Sequence, residues 1–346
     1  MVRLLTEPRQ EEAKQNRLGI TNSSNRHSNR RPLDSSEEDL YGNILSLLKS
    51  LAEKESNEDE LEFLSTQEYK LGMFFRKKSP KTAVDHFRRC VTIMDLLTST
   101  NHNSKEIQKQ REIVPFWLAT LDKGATVSKC PADYIVGLYS TFASDFDALL
   151  IEKLQYQTPT KLRTLLDSSS NTKVYDKVLD LGCGTGLSGL AVQDAVGKEL
   201  HGVDLSPDMI EKAKSRACYH QLKVADVALY LSKQSDKSWD LIWACDLFCY
   251  IGDLADVMLD SYRSLAVGGI FAFSTELLLT SGTSSKQHPE VPYRLHECAR
   301  FSHSFSYLES LALNCGFGIL AKEFCPIRKN KGEHVQGTLL ILQRTK

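Results

Sequence analysis

The run Val178-Leu179-Asp180-Leu181-Gly182-Cys183-Gly184-Thr185-Gly186 constrains the fold of this chain more than any other segment. A short apolar stretch of strand type passes directly into closely set glycines and then into a helical pattern. Glycines at such a junction let the backbone turn tightly and approach a ligand with no Cβ in the way. The spacing is Gly-x-Gly-x-Gly. A dinucleotide-binding turn of the form Gly-x-Gly-x-x-Gly would place its third glycine at position 187, where this chain has Leu187. Asp180 stands two residues before the first glycine. A carboxylate repels a pyrophosphate and attracts an ammonium or sulfonium group, so the turn suits a cationic ligand that carries no phosphate.

From residue 177 onward, short apolar runs alternate with helical segments at 177–181, 190–195, 200–204, 209–216, 222–226, 239–245, 254–265 and 270–274. That alternation predicts βαβ units on a mostly parallel, Rossmann-like α/β sheet. Two further strands, 317–324 and 338–342, flank the basic run Arg328-Lys329-Asn330-Lys331-Gly332 and suit a closing antiparallel hairpin. Acids recur where these strands end. Asp204 precedes Leu205-Ser206, and a carboxylate there accepts hydrogen bonds from both hydroxyls of a ribose. Ser206-Pro207 opens the next helix, which carries Met209, with Ser as N-cap and Pro at the first position. Asp226, followed by Val227, is placed to accept from an adenine amino group. A strand-end aspartate can instead cap the following helix, but three at successive strand ends favour a ligand.

The 346 residues amount to roughly two domains, and 41% hydrophobic content suffices for a full α/β core. A formal charge of −1 provides no general attraction to nucleic acid or an anionic membrane. Nine cysteines without a Cys-x-x-Cys pair read as reduced thiols; Cys245 and Cys249 alone do not make a zinc site, and no metal is expected. No apolar run reaches the roughly 20 residues of a membrane span. The N-terminal stretch is Arg- and Ser-rich, as a transit peptide would be, but Glu7, Glu11 and Glu12 argue against one. A cytoplasmic location is expected. Residues 1–37 read as a disordered tail, 38–128 as a helical region, 129–172 as a helical arm and 173–346 as the ligand-binding domain.

Within the helical region a first helix is predicted from Asp39. A hairpin follows, one limb carrying Leu61, Leu64, Tyr69, Leu71 and Phe75, the other Ala83, Phe87, Cys90, Val91 and Met94, with the break at Ser79-Pro80. Leu71-Gly72-x-x-Phe75 and Ala83-x-x-x-Phe87 resemble elements of the tetratricopeptide repeat; an ordinary helical hairpin is the alternative. Another helix is expected near 106–121.

The stretch 178–276 resembles class I S-adenosylmethionine-dependent methyltransferases. The resemblance rests on Asp180-x-Gly182-x-Gly184-x-Gly186, on Asp204-Leu205-Ser206-Pro207-Asp208-Met209, on Asp226 and on 267–273. It implies S-adenosyl-L-methionine as cofactor, with Asp180, Gly182, Cys183, Gly184, Gly186, Asp204, Leu205, Met209, Asp226 and Val227 around it. A wider resemblance, to methyltransferases with an N-terminal tetratricopeptide region, rests on Pro131-Ala132-Asp133-Tyr134, Phe142-Ala143-x-x-Phe146-Asp147, Glu152-Lys153-Leu154-x-Tyr156 and Arg300-Phe301-x-His303-Ser304.

Methyl transfer from a sulfonium is an in-line displacement, so the protein chiefly has to position a nucleophile and exclude water. The acceptor is expected beyond the strand at 239–245. Family members that methylate amide or base nitrogens place Asn-Pro-Pro-aromatic or Asp-Pro-Pro-aromatic there, whereas this chain has Cys245-Asp246-Leu247-Phe248. No nucleic-acid partner is expected. Asp246 and Tyr250 are candidate catalytic residues by position, Asp246 having helix capping as its alternative. His303 is a candidate general base, with a structural role as its alternative. Phe142 and Phe146 read either as a lid or as core packing, and Arg328–Lys331 as a solvated turn, with phosphate or carboxylate recognition as the alternative. The first reading is transfer to an O or N atom of a small molecule or carboxylate. A protein methyltransferase recruiting its target through the helical hairpin is the second, and a non-catalytic interaction protein the third. An NAD-dependent oxidoreductase is disfavoured by Leu187.

Overall fold

The computed structural model describes residues 58–99, 102, 104–122, 126–140, 147, 150, 154–279, 291–330 and 332–346. The expected tail at 1–37, the helix from Asp39, and Phe142 and Phe146 lie outside the described residues. The described residues divide into two compact units, one of residues 58–122 and the other from Thr126 to Lys346.

In the first unit, α1 (Glu58–Phe75) and α2 (Pro80–Ser99) form a hairpin against which α3 (Lys105–Leu121) packs. The limbs approach closely because Gly72 lacks a side chain: a Cβ there would sit 2.5 Å from Phe87 Cε1. Phe87, Cys90 and Leu97 are fully buried along α2. Buried Ser65 donates to Gln110 Oε1 at 2.5 Å, which ties α1 to α3. Ser104 caps α3 by accepting from the Ile107 amide.

The second unit begins with α4 (Ala132–Ser140) and α5 (Thr158–Ser169), which lead into the sheet. Its strands and helices then alternate: β1 (Tyr175–Leu181), α6 (Leu187–Val192), β2 (Val196–Asp204), α7 (Pro207–Lys214), β3 (Gln221–Val224), α8 (Val227–Ser232), β4 (Trp239–Ala244), α9 (Ala255–Ser264) and β5 (Leu265–Glu276). A two-stranded ribbon, β6 (Tyr293–Leu295) and β7 (Phe301–His303), precedes α10 (Phe305–Cys315) and the long pair β8 (Phe317–Asn330) and β9 (Glu333–Arg344). Among the described residues, seven strands make one sheet in the order β3-β2-β1-β4-β5-β9-β8. The first five run parallel, and β9 joins β5 and β8 antiparallel.

Both faces of this sheet are covered, as a parallel sheet requires. Along β5, Phe271 and Phe273 pack with Phe248 and Leu308 on one face, while Ile270 and Ala272 pack with Trp243 and Ile341 on the other. The helices start where the sequence said they could. Pro207 is the first residue of α7, whose N-cap Ser206 accepts from Met209 N, and Asp226 caps α8 by accepting from Leu229 N. Parallel register sets Asp180 beside Gly202 and Trp243, so the carboxyl ends of β1, β2 and β4 open on the same edge. Ligands of open α/β sheets bind at such an edge, where the strand order reverses.

The expected hairpin at the C-terminus is present, but its strands are far longer than 317–324 and 338–342. Residues 328–330 belong to β8 and not to a solvated turn; Lys331 lies outside the described residues. No helix among the described residues is long and apolar enough to cross a membrane.

Candidate active site

The edge formed by β1, β2 and β4 borders a cavity of about 370 Å³, within the range of roughly 300–1,000 Å³ usual for small-ligand pockets. Its first half is built by the glycine turn. Gly182 N and Cys183 N donate to Val203 O at 2.8 and 3.0 Å, clamping the turn onto β2. Gly184 adopts φ +53 and a Cβ there would meet nothing within 4 Å, so its bare backbone faces open space. Gly186 closes the turn at φ +89, where a side chain would be strained and would also press on Arg216 Cγ at 2.9 Å.

Asp204 is gripped at both oxygens, Oδ2 by the Gly184 amide and Oδ1 by the Ser206 amide, each at 2.9 Å. Burial raises its pKa, and these amides pull it back down. Leu205, Met209, Asp226 and Val227 line the same half of the cavity. Asp226 thus both caps α8 and borders the cavity, and Lys129 Nζ lies 3.8 Å from its free oxygen.

Asp180 and Gly186 stand behind the lining. Asp180 is fully buried, accepting at Oδ2 from Ser188 Oγ (2.5 Å) and Tyr219 OH (2.7 Å), while its Oδ1 has no partner. Burial pushes its carboxyl up to about 7 in spite of those two donors. An orphaned buried carboxylate oxygen behind the turn suits a cationic group nearby. Asp147 accepts from Thr185 Oγ1 at 2.5 Å and from Arg216, bracing the turn from the other side.

The second half of the cavity is polar and gathers residues far apart in the chain. Asp246, just after β4, takes a left-handed φ of +52 that turns it back to the sheet edge. Its amide donates to Ser274 Oγ at 2.8 Å, and its carboxylate accepts from Ser274 Oγ (3.3 Å) and Thr158 Oγ1 (3.2 Å). Burial pushes the Asp246 pKa up, with Arg328 and Arg300 counteracting. The Tyr250 hydroxyl accepts from Tyr139 OH and from Arg300 Nη1, both at 2.9 Å. Glu276, at the end of β5, accepts from Arg300 Nε and Arg328 Nη2. Burial opposes its charge, yet the two guanidinium groups hold its carboxyl below the usual range. Tyr139, Tyr156, Arg300 and Arg328 all line the cavity, and the strap 128–130 borders it by pairing with 250–252.

Two sequence expectations change here. His303 does not line the cavity: it is buried, and its Nε2 lies 3.0 Å from the carbonyl oxygens of Ile251 and Gly252. Burial lowers its pKa to about 4, leaving a neutral imidazole that donates to the backbone. The general-base expectation for His303 is therefore corrected to a structural role. Arg328, expected in a solvated turn, is 4% exposed and paired with Glu276. Sequence reasoning assigned no role to Tyr139, Tyr156, Glu276 or Arg300, because no local spacing connects them. Tyr156 and Arg300 stood in the motifs of the wider resemblance, which attached no role to them, and Glu276 was signalled only as an acid ending a strand.

Known proteins resemble the part of the chain that builds this edge. Residues 178–269 match the family model described as a methyltransferase domain. Residues 178–269 are thus similar to a methyltransferase domain. The malonyl-[acyl-carrier protein] O-methyltransferase of Salmonella typhimurium is 31% identical over 161 residues, covering 46% of this chain and 59% of that protein. The 27-O-demethylrifamycin SV methyltransferase of Amycolatopsis mediterranei is 26% identical over 158 residues, covering 41% and 58%. A solved magnesium protoporphyrin IX methyltransferase of Synechocystis is 16% identical with a TM-score of 0.46, covering 62% of this chain and 99% of that one. The chain thus spans less than two thirds of the length of either curated relative. The matched residues 178–269 contain most of β1, all of β2 to β4, the glycine turn, Asp204, Asp226, Asp246 and Tyr250. Glu276, Arg300 and Arg328 fall outside the match.

Proposed function

We propose that the protein is an S-adenosyl-L-methionine-dependent methyltransferase acting on an O or N atom of a small molecule or carboxylate. The observation that carries this reading is Asp204, fixed by the Gly184 and Ser206 amides at the mouth of a cavity that the bare glycine turn leaves open. A carboxylate so fixed keeps lone pairs for two ribose hydroxyls. Asp226 serves the adenine end, and Leu205, Met209 and Val227 supply apolar contact. The orphaned Asp180 Oδ1 favours positive charge next to the turn. The residues present therefore fit this cofactor, which supplies a methyl group already activated on a sulfonium.

The chain's own residues then have two tasks. Tyr139, Tyr156 and Tyr250 line the acceptor half and narrow it, which favours exclusion of water. Asp246, with its raised pKa, takes a proton from an acceptor nucleophile that carries one, while Thr158 and Ser274 hold the carboxylate in place. Two relatives bear the names of methyltransferases for malonyl-[acyl-carrier protein] and 27-O-demethylrifamycin SV, neither a nucleic acid, which supports an acceptor outside that class. The close Gly72–Phe87 approach supports a tetratricopeptide-like reading of the helical hairpin, and nine free thiols support a reducing, cytoplasmic setting.

The test is incubation of the full chain with methyl-labelled S-adenosylmethionine and a cell extract split into small-molecule and protein fractions. Label entering the small-molecule fraction supports the proposal. Label confined to protein replaces the acceptor class, and no label in either fraction contradicts transfer altogether.

A further inference from the structure

Among the described residues, the buried charges around the acceptor half of the cavity cancel. Arg300 and Arg328 line it, and both donate to the Glu276 carboxylate. Asp246 lines the same half and faces both guanidinium groups, which counteract the rise that burial imposes on its pKa. Two cations thus meet two anions. The arginines are also shut in, Arg300 being 3% and Arg328 4% exposed, whereas Asp246, Tyr139 and Tyr156 keep more of their surface open. Cys245 and Leu150, whose carbonyl accepts from Tyr156 N at 3.1 Å, add apolar lining. An acceptor entering this half meets one carboxylate set among aromatic and apolar walls.

A charge brought into such a site finds no counter-charge to spare and bears its full desolvation cost. An anion is opposed further by Asp246, and an ammonium by the two guanidinium groups. A hydroxyl escapes both penalties, because it donates to the Asp246 carboxylate and keeps an oxygen lone pair for the methyl group. We propose that the methyl acceptor is an uncharged alcohol or phenol on an apolar body, and that the balanced charges of this half select against carboxylates and amines. The inference rests on the methyltransferase reading and deepens it by choosing among the acceptors which that reading allows. The hydroxyl oxygen forms the new bond to the methyl carbon, the electron pair of the broken S–C bond stays on sulfur, and the O–H proton passes to Asp246. One positive and one negative charge disappear together, so the net charge of the filled cavity does not change. A carboxylate acceptor carries no proton to give and would leave Asp246 without a task.

The experiment gives the full-length protein methyl-labelled S-adenosylmethionine and the small-molecule fraction of a cell extract, and sorts the labelled products by chemistry. Ion exchange separates neutral products from anions and cations, mild alkali releases methanol from methyl esters, and hot hydriodic acid releases methyl iodide from methyl ethers. Most of the label is expected in neutral products that survive alkali and yield methyl iodide. Label released by alkali, label held on either exchanger, or neutral label that resists hydriodic acid overturns the proposal and leaves the methyltransferase reading standing. Asp246→Asn is expected to lower formation of the ether products by about 10²–10⁴-fold, while calorimetric binding of S-adenosylhomocysteine shows that the variant is folded. Undiminished ether formation in that variant overturns the proposal as well. If Asp246→Asn does not fold, the sorting of the wild-type products decides alone. No label in any product contradicts methyl transfer itself, and the proposal falls with it.

Discussion

Asp246 and His303 both arise from the sequence as candidate proton carriers, and their surroundings send them in opposite directions. Asp246 lines the cavity with its pKa raised by burial, so its carboxylate form is the one able to accept a proton. As pH falls through that raised value the carboxyl becomes protonated and inactive as a base, which places an acid limb in the kcat/KM profile above the ordinary 3.8. For an acceptor that carries a proton, Asp246→Asn is expected to lower kcat by about 10²–10⁴-fold and to abolish that limb; rate measurements from pH 4 to 8 check both. His303 instead contributes stability as a neutral donor. Its pKa falls from 6.5 to about 4 on folding, so the contribution is complete above 6.5 and is lost as pH drops from 6.5 toward 4. Integrated over that window the loss is about 3 kcal/mol. Urea melts at pH 7.5 and 5 should show a shallower decline for His303→Gln than for the wild type. Sequence spacing put His303 near the site but could not show that its ring faces the carbonyls of Ile251 and Gly252.

Strands were legible in proportion to how apolar their inward faces are. β1 and β5 read clearly because both of their faces are buried under helices. β8 did not. Its second half passes the polar end of the cavity, so Arg328 is an inward residue of a strand and yet belongs to a run that reads as a turn. The same cause hid the extent of β9, whose first residues pair with that polar half. Helix starts were legible because caps are local chemistry: Ser206-Pro207 and Asp226 needed nothing from the rest of the fold. The packing of β5 gives a stability prediction. Phe273 is fully buried, in contact with Phe248 and Phe271 at centroid distances of 5.3 and 4.7 Å. Phe273→Ala is expected to cost about 3–5 kcal/mol, as a lowered midpoint in chemical denaturation with an unchanged slope; a loss under 1 kcal/mol, a deficit smaller than the transfer term alone, would show that the sheet repacks.

Across the whole molecule the two halves of the candidate site differ in how they are written into the chain. The proposed cofactor half comes from one contiguous turn, from Asp204 at the end of β2 and from Asp226 just after β3, so local spacing is enough to propose it. The proposed acceptor half joins Tyr139, Asp246, Tyr250, Glu276, Arg300 and Arg328, which meet only because α4, the segment after β4, the end of β5, the start of β7 and the second half of β8 come together around one cavity. No spacing rule connects residues that topology alone brings together. The central claim, that the glycine turn and Asp204 hold S-adenosylmethionine, is tested most directly by calorimetry with S-adenosylmethionine, S-adenosylhomocysteine and NAD on the wild type and Asp204→Ala. The account predicts that the wild type binds the first two and not NAD, and that Asp204→Ala weakens both by at least about tenfold, as expected for lost hydrogen bonds to a charged group. Binding of NAD in their place, or unchanged affinity in Asp204→Ala, would contradict it.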